Sequence, residues 1–116
     1  MNQFKQFQNA LLLETISKNT FKVNPDSKYF VGKTPHGGYL NALMHKALTS
    51  SLPHSVAISS SIQYLDRIEA KDIILEVDVL KVSRGSSSGV VKLIQEGKVC
   101  TVFNGICSDF DYMKGF

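Results

Sequence analysis

The sequence predicts an α+β domain in which one helix packs against an antiparallel sheet. Only residues 34–52 place apolar side chains at helical spacing, whereas several later stretches alternate apolar and polar residues with a period of two. No second helix interrupts these stretches, which favours one antiparallel sheet. With 116 residues, 43% hydrophobic and 20% charged, the composition is that of an ordinary globular domain. We therefore expect residues 1–116 to form a single domain.

The segments before the helix predict a β-hairpin followed by a loop. Residues 1–9 are mostly polar and are expected to form an arm. Residues 10–17 and 21–24 are apolar and β-rich, and Lys18-Asn19-Thr20 supplies a turn between them. Residues 27–33 lead into the helix as a loop.

The helix prediction depends on one apolar stripe and on clear end signals. Thr34 can cap the first turn through its hydroxyl, and Pro35 suits the first helical position. Pro53 stops the helix. The spacing predicts that one face is buried against the sheet; this face carries Leu40, Leu43, Met44, Ala47 and Leu48.

Four strands are predicted after the helix, as a meander. They cover residues 56–65, 73–82, 90–95 and 99–107, and a charged connection joins the first two. The apolar phase slips from odd to even positions at Leu80 and Val82, which a β-bulge or a strong local twist would explain. Between the last two strands, Gly97 permits the positive φ of a tight turn. Residues 83–89 fit either a flexible loop or a strand with small side chains, and residues 109–116 are expected to be a tail.

Composition excludes several function classes. Lysines and arginines number 13 against 10 acidic residues, for a net charge of +3, and they are scattered, so nucleic-acid binding is not expected. No apolar run approaches the ~20 residues of a membrane span, and no secretory signal is evident, so we expect a cytoplasmic protein. Two cysteines and three histidines without clustered carboxylates predict no disulfide, metal site or cofactor.

Four short motifs resemble those of the hotdog-fold acyl-CoA thioesterase superfamily. The similarity covers residues 30–107 and is closest to one half of a type II, double-hotdog acyl-CoA thioesterase. It implies a curved antiparallel sheet wrapped around one central helix. The motifs are His36-Gly37-Gly38-Tyr39-Leu40, Gln63-Tyr64-Leu65-Asp66-Arg67-Ile68, Glu76-Val77-Asp78-Val79-Leu80 with Ser83-Arg84-Gly85-Ser86, and Gln95-Glu96-Gly97-Lys98.

The resemblance and the helix dipole together suggest a site at the helix start. Gly37 and Gly38 leave backbone N–H groups accessible at the positive end of the dipole, where they could polarise a thioester carbonyl. A tight strand-to-helix turn is the alternative. The resemblance implies that Gln95 orients the attacking water, although a glutamine before a turn is also ordinary.

Three polar residues of the helix region are further candidates. Asn41 could help Gln95 position water, and His45, one turn later, could share a cleft with it as a general base, because histidine titrates near neutral pH. A solvated helix flank is the alternative for both. His36 is a catalytic candidate, or it bonds only to local backbone.

Tyr39, Ser61 and Arg84 complete the candidate site as substrate-binding residues. Tyr39 belongs to the His-Gly-Gly motif. Ser61 lies with Ser59 on a small-residue strand face that could line a pantetheine channel. Arg84 could hold a phosphate of coenzyme A, or it could form an exposed ion pair.

Two departures from the family bear on function. Type II enzymes carry two hotdog units in one chain, so this chain, with one unit, is expected to form a homodimer or larger homo-oligomer, or to be part of something longer. Hotdog enzymes also place an acid on the central helix, yet residues 33–65 contain none. We therefore expect a protein that hydrolyses or binds fatty acyl-CoA; the alternative is a non-catalytic acyl-CoA-binding or structural half. A dehydratase would need a histidine and a carboxylate opposed across an interface.

Overall fold

One helix and eight strands make up the described part of the chain. The computed structural model describes residues 11–25, 30–31, 34–35, 37–69 and 71–109. In chain order the elements are β1 (Glu14–Ser17), β2 (Thr20–Val23), β3 (Phe30–Val31), β4 (Thr34–Pro35), α1 (Gly37–Ser51), β5 (Val56–Tyr64), β6 (Ile73–Val82), β7 (Ser86–Gln95) and β8 (Lys98–Ser108).

Six of the strands form one curved antiparallel sheet in the order β1-β2-β6-β7-β8-β5. This confirms the α+β, hotdog prediction. The predicted four-strand meander is wrong in one respect, because only β6, β7 and β8 are sequential neighbours. β5 pairs with β8 at the far edge of the sheet. The connection from β5 therefore runs past the ends of β8 and β7 to reach β6, and we call its described residues, 65–69 and 71–72, the crossover.

The central helix is shorter than residues 34–52, the predicted range. Thr34 and Pro35 pair with Val31 and Phe30 in the small β3-β4 sheet, so their backbone is extended and the predicted cap is wrong. The helix begins at Gly37 and ends at Ser51. The arm, residues 1–9, and all of the tail except Asp109 lie outside the described residues.

The core lies between α1 and the face of the sheet that it covers, which we call the inner face. Tyr39 is buried together with the whole predicted stripe of the helix, so that prediction is confirmed. Two glycines of the sheet allow the helix to approach closely, because a Cβ at Gly89 would lie 2.9 Å from Leu48 Cδ1, and one at Gly105 would also meet the Leu48 side chain. The sheet contributes alternate residues, among them Leu75, Val77, Val91, Leu93, Thr101, Phe103 and Cys107.

The tight turn at Gly97 and the bulge at Leu80 lie where the sequence pattern indicates them. Glu96 and Gly97 both have positive φ, 52° and 79°, as a tight turn between β7 and β8 requires. The register shifts between Val79 and Lys81, which confirms the bulge at Leu80. For residues 83–89, strand begins at Ser86 after a short turn. No helix of the described ranges is long and apolar enough to cross a membrane.

Candidate functional site

The start of α1 is open to solvent. Gly37 and Gly38 are both exposed, and the helix has no acidic residue in its first turn. First-turn N–H groups lack partners within a helix and carry its positive partial charge, so this end attracts an electronegative oxygen. Gly38 also makes an interaction within the chain. His36 lies outside the described residues.

The side chain of Tyr64 approaches this helix start. An ideal Cβ placed on Gly37 would lie 3.4 Å from Tyr64 Oη. Tyr64 ends β5 and pairs with Thr101, a core residue, so its ring lies on the inner face. The sequence motif contained this tyrosine, but no site role was predicted for it. The sequence did contain a signal for its position: Tyr64 is two residues from Ile62 in the alternating pattern of β5, so both side chains lie on the inner face.

Tyr39 is a core residue rather than an open binding residue. Only 1% of its surface is exposed, and it packs in the same cluster as Leu43, four residues on. Its predicted contact with substrate would require this core to open. The sequence stripe omitted Tyr39, although its position continues the same helix face.

Asn41 and His45 differ in their access to solvent, although they are one helical turn apart. Asn41 is exposed, while His45 is half-buried. The Nε2 atom of His45 is shielded from solvent and has no hydrogen-bond partner among the described residues. Asn41 is therefore available to a ligand at the helix surface, whereas this nitrogen of His45 does not belong to a solvated flank.

Gln95 lies at the same end of the sheet as Gly37, two residues beyond Leu93, which pairs with Thr101. Gln95 is 8% exposed, and its amide holds the crossover. Nε2 donates to Glu69 O at 2.8 Å and to Lys71 O at 3.2 Å, and Oε1 accepts from Glu69 N at 2.9 Å. Both N–H bonds are thus in use, and Oε1 keeps one lone pair for a further donor.

Ion pairs and a polar cavity of about 300 Å³ surround Gln95. Lys71 Nζ lies 2.9 Å from Glu96 Oε1 and 3.0 Å from Glu69 Oε2, and these hydrogen bonds raise the pKa of Lys71. The hydrogen bond from Lys98, and then the N–H of Arg67, lower the pKa of Asp66. The cavity is lined by Asp66, Arg67, Glu69, Lys71, Gln95, Glu96, Lys98 and Cys100.

Ser61 lies on the outer face of the sheet, away from the helix. It pairs with the exposed Asn104, and both residues line a shallow groove of about 310 Å³. A register shift between Ala57 and Ser59 brings Ala57 to the inner face and leaves Ser59 on the outer face with Ser61. Ser61 is therefore not brought together with the helix start.

Arg84 lies at the opposite end of the sheet from Gly37. It is exposed in the turn before β7, beyond the row in which Ser86 pairs with Ser108. Val56 lies in this row, and the eight residue-to-residue steps from it to Tyr64 correspond to about 26 Å. Within the described ranges, no ion pair with the Arg84 side chain is found.

Buried side chains hold the turn that carries Arg84. His54 Nε2 donates to Arg84 O at 3.2 Å, its Nδ1 lies 2.8 Å from Ser87 Oγ, and Ser108 Oγ donates to Gly85 O at 2.7 Å. His54 is thus a structural residue. Among the residues that the structure describes, no group of three or more histidine, cysteine or acidic side chains could hold a metal ion.

The sequence was compared with protein-family models and with curated proteins. Residues 25–108 match the family model of the acyl-CoA thioesterase N-terminal domain. The comparison with curated proteins returned no match.

Solved structures with the same fold include double-length and single-length proteins. A protein assigned as a thioesterase II from Thermobifida fusca superposes with a TM-score of 0.87 at 24% identity, over 91% of this chain and 40% of that chain. Acyl-CoA thioesterase II TesB2 from Mycobacterium marinum superposes with a TM-score of 0.76 at 14% identity, over 90% of this chain and 38% of that chain. A mutant of phenylacetic acid degradation protein PaaI from Thermus thermophilus superposes with a TM-score of 0.72 at 23% identity, over 90% of this chain and 99% of that chain. The chain thus spans about two fifths of the first two.

Proposed function

Because the chain belongs to the acyl-CoA thioesterase N-terminal domain family, we propose that it binds fatty acyl-CoA thioesters at the start of α1 and hydrolyses them there. The observation that carries the proposal is the exposed Gly37-Gly38 helix start, which lies within the matched residues. Backbone N–H groups of a helix start are suited to the negative charge that develops on a thioester oxygen.

The reaction needs water but no covalent enzyme intermediate. Water adds to the thioester carbon, the carbonyl π electrons move to oxygen, and collapse of the tetrahedral species expels the thiolate. The proton lost by water ends on the thiolate, so the products are a carboxylic acid and free coenzyme A thiol. Asn41 is exposed one turn into the helix and would orient the water. The remaining lone pair of Gln95 Oε1 could accept a hydrogen bond from it.

The missing helix carboxylate sets an expectation for the rate. No acidic residue occurs in α1, and general-base assistance typically contributes about 10²- to 10⁴-fold. We therefore expect acyl-CoA binding to be easier to detect than turnover.

The proposal includes a homodimer formed along β5. Among the strands that the structure describes, β5 pairs only with β8, and Ser59, Ser60 and Ser61 at its centre are exposed. The strand contains neither lysine nor proline, which commonly protect free edges. A second copy could continue the sheet there and bring two helix starts onto one continuous surface. Buried free thiols at Cys100 and Cys107 suit the reducing cytoplasm, which we propose as the location.

Two measurements test these proposals. Calorimetric titration with medium- and long-chain acyl-CoA measures binding, and a colorimetric assay of thiol release measures hydrolysis. Hydrolysis that falls in Asn41→Ala would support its water-orienting role. Binding without thiol release would leave an acyl-CoA-binding half as the function, and the absence of binding would refute the substrate class.

Light scattering at micromolar concentration tests the dimer. Residue 60 is the middle residue of β5, so a two-fold axis there would place two Ser60→Lys side chains opposite each other, and repulsion would favour the monomer. Ser50→Lys, an exposed change on the helix, adds the same charge elsewhere and serves as the control. A parent chain that scatters as a 12.8 kDa monomer would refute the dimer.

A further inference from the structure

The backbone that follows Tyr64 is hydrogen-bonded to β8 where β5 meets the crossover. The backbone N–H groups of Leu65 and Asp66 both donate to Cys100 O, at 2.9 and 3.0 Å. Further along, the Gln95 amide fixes the crossover at Glu69 and Lys71. The segment that follows Tyr64 is therefore tied to the β7–β8 hairpin by backbone and side-chain hydrogen bonds.

Tyr64 is largely exposed although its ring lies on the inner face. The side chain is 53% exposed, and its Oη lies within van der Waals distance of a Cβ built on Gly37. Nothing in the described part of the chain forms a hydrogen bond with this hydroxyl. Its donor is thus free beside the first residue of α1.

A second unpaired hydroxyl lies on the same face of the sheet. Thr101 is directly opposite Tyr64 in the β5–β8 pair, is fully buried, and its Oγ1 has no partner among the described residues. Buried polar atoms are normally hydrogen-bonded, and an exception calls for an explanation such as a bound water or ligand. At this end of the inner face, the hydroxyls of Tyr64 and Thr101 therefore both lack a hydrogen-bond partner among the described residues.

We propose that the Tyr64 hydroxyl donates a hydrogen bond to the thioester carbonyl oxygen, next to the N–H groups of the helix start. This inference rests on the proposed function and adds a catalytic residue to it. The phenol keeps its proton throughout, because it stabilises the negative oxygen of the tetrahedral species and transfers nothing. A phenol suits this task because its O–H group is a hydrogen-bond donor that lies beside the helix start.

Tyr64→Phe is the decisive variant, because it removes one exposed oxygen and preserves the ring. We expect thiol release to fall about 10²-fold, the lower end of the effect of removing one such donor, with the affinity for acyl-CoA changing less than threefold. Ser50→Ala, which removes an exposed hydroxyl from the other end of α1, should hydrolyse at the parent rate. A Tyr64→Phe rate equal to that of the parent would overturn the inference.

An infrared measurement tests the contact without requiring turnover. With ¹³C-labelled acyl-CoA bound to the full chain, a donated hydrogen bond lowers the carbonyl stretching frequency, and Tyr64→Phe should move it back towards the value in water-free solvent. If the parent binds but releases no thiol, hydrolysis fails as the function while this shift still decides the role of Tyr64. An identical stretch in both proteins overturns the inference, and so does absence of binding.

A double-mutant cycle places the contact at the helix start. Gly37→Ala would put a methyl group 3.4 Å from Tyr64 Oη, an ordinary contact that the fold tolerates but that crowds the space for a carbonyl oxygen. If both residues act on the same oxygen, the combined loss of Gly37→Ala and Tyr64→Phe should be smaller than the product of the separate losses. Independent, multiplicative losses would contradict a shared oxygen.

Discussion

Replacing Gln95 by alanine tests whether its amide holds the crossover in place. The change removes the three hydrogen bonds to Glu69 and Lys71. A hydrogen bond contributes about 1 kcal/mol net, and a buried group left unpaired costs about 1 to 3 kcal/mol. Glu69 O retains the N–H of Lys71 as a donor at 2.9 Å, and the exposed crossover can be rehydrated. We therefore expect the free energy of unfolding to fall by about 2 to 3 kcal/mol.

Urea denaturation followed by circular dichroism measures that loss, and hydrogen exchange locates it. The Glu69 amide donates to Gln95 Oε1, so its exchange should accelerate in Gln95→Ala more than exchange in the β7–β8 ladder. Gln95→Glu separates the two parts of the amide, because it keeps an acceptor for Glu69 N but places a carboxylate against two carbonyl oxygens. It should be no more stable than the alanine variant.

Gln63→Ala is the matched control, since Gln63 is an exposed glutamine of β5. Its unfolding free energy should stay within about 0.5 kcal/mol of the parent. The reasoning would be refuted if Gln95→Ala were equally neutral and Glu69 exchange were unchanged, because the three hydrogen bonds would then contribute nothing to the crossover.

Three further outcomes follow from close contacts, backbone conformation and charge. Gly105→Ala should lower the unfolding free energy by about 1 to 3 kcal/mol, because its Cβ would meet the Leu48 side chain; unchanged urea denaturation would contradict this contact. Gly97→Ala should lower the unfolding free energy by about 1 kcal/mol, because alanine is strained at the φ of +79°, and the open space around the residue excludes a clash as the cause. Calorimetric melting measures the lower melting temperature. The hydrogen bond from Lys98 lowers the pKa of Asp66 in the folded chain. This pairing therefore stabilises the fold at pH values above the ordinary carboxyl pKa, and the stabilisation is lost as the pH falls through the lowered pKa. An NMR titration that gave Asp66 an ordinary pKa would refute this prediction.

Local pattern was sufficient for the elements themselves. The helical spacing of Leu40 to Leu48 marked the buried face of α1, and the phase slip at Leu80 marked the bulge. Gly97 marked the tight turn. These features depend on side-chain periodicity and on φ preferences, which a short stretch of sequence contains in full. The ordered motifs were likewise sufficient for the family, which the match over residues 25–108 shows.

The helix start shows where local pattern was misleading. Thr34 and Pro35 are good cap and first-turn residues, yet they pair with β3. Local preferences of this kind amount to about 1 kcal/mol, so pairing with a neighbouring segment can override them. Only the folded chain showed that the helix begins at Gly37.

The placement of the candidate site residues was decided by tertiary structure. Gln95 bonds to residues 24 and 26 positions away, Ser61 lies on the outer face, and Arg84 lies at the far end of the sheet from Gly37. The physical reason is strand order: β5 crosses to the edge beyond β8, and no local period encodes which strands become neighbours. That same crossing brings Tyr64 against the start of the helix. The sequence by itself therefore determined the elements, the stripe and the family, and the long-range pairing of β5 decided which side chains meet.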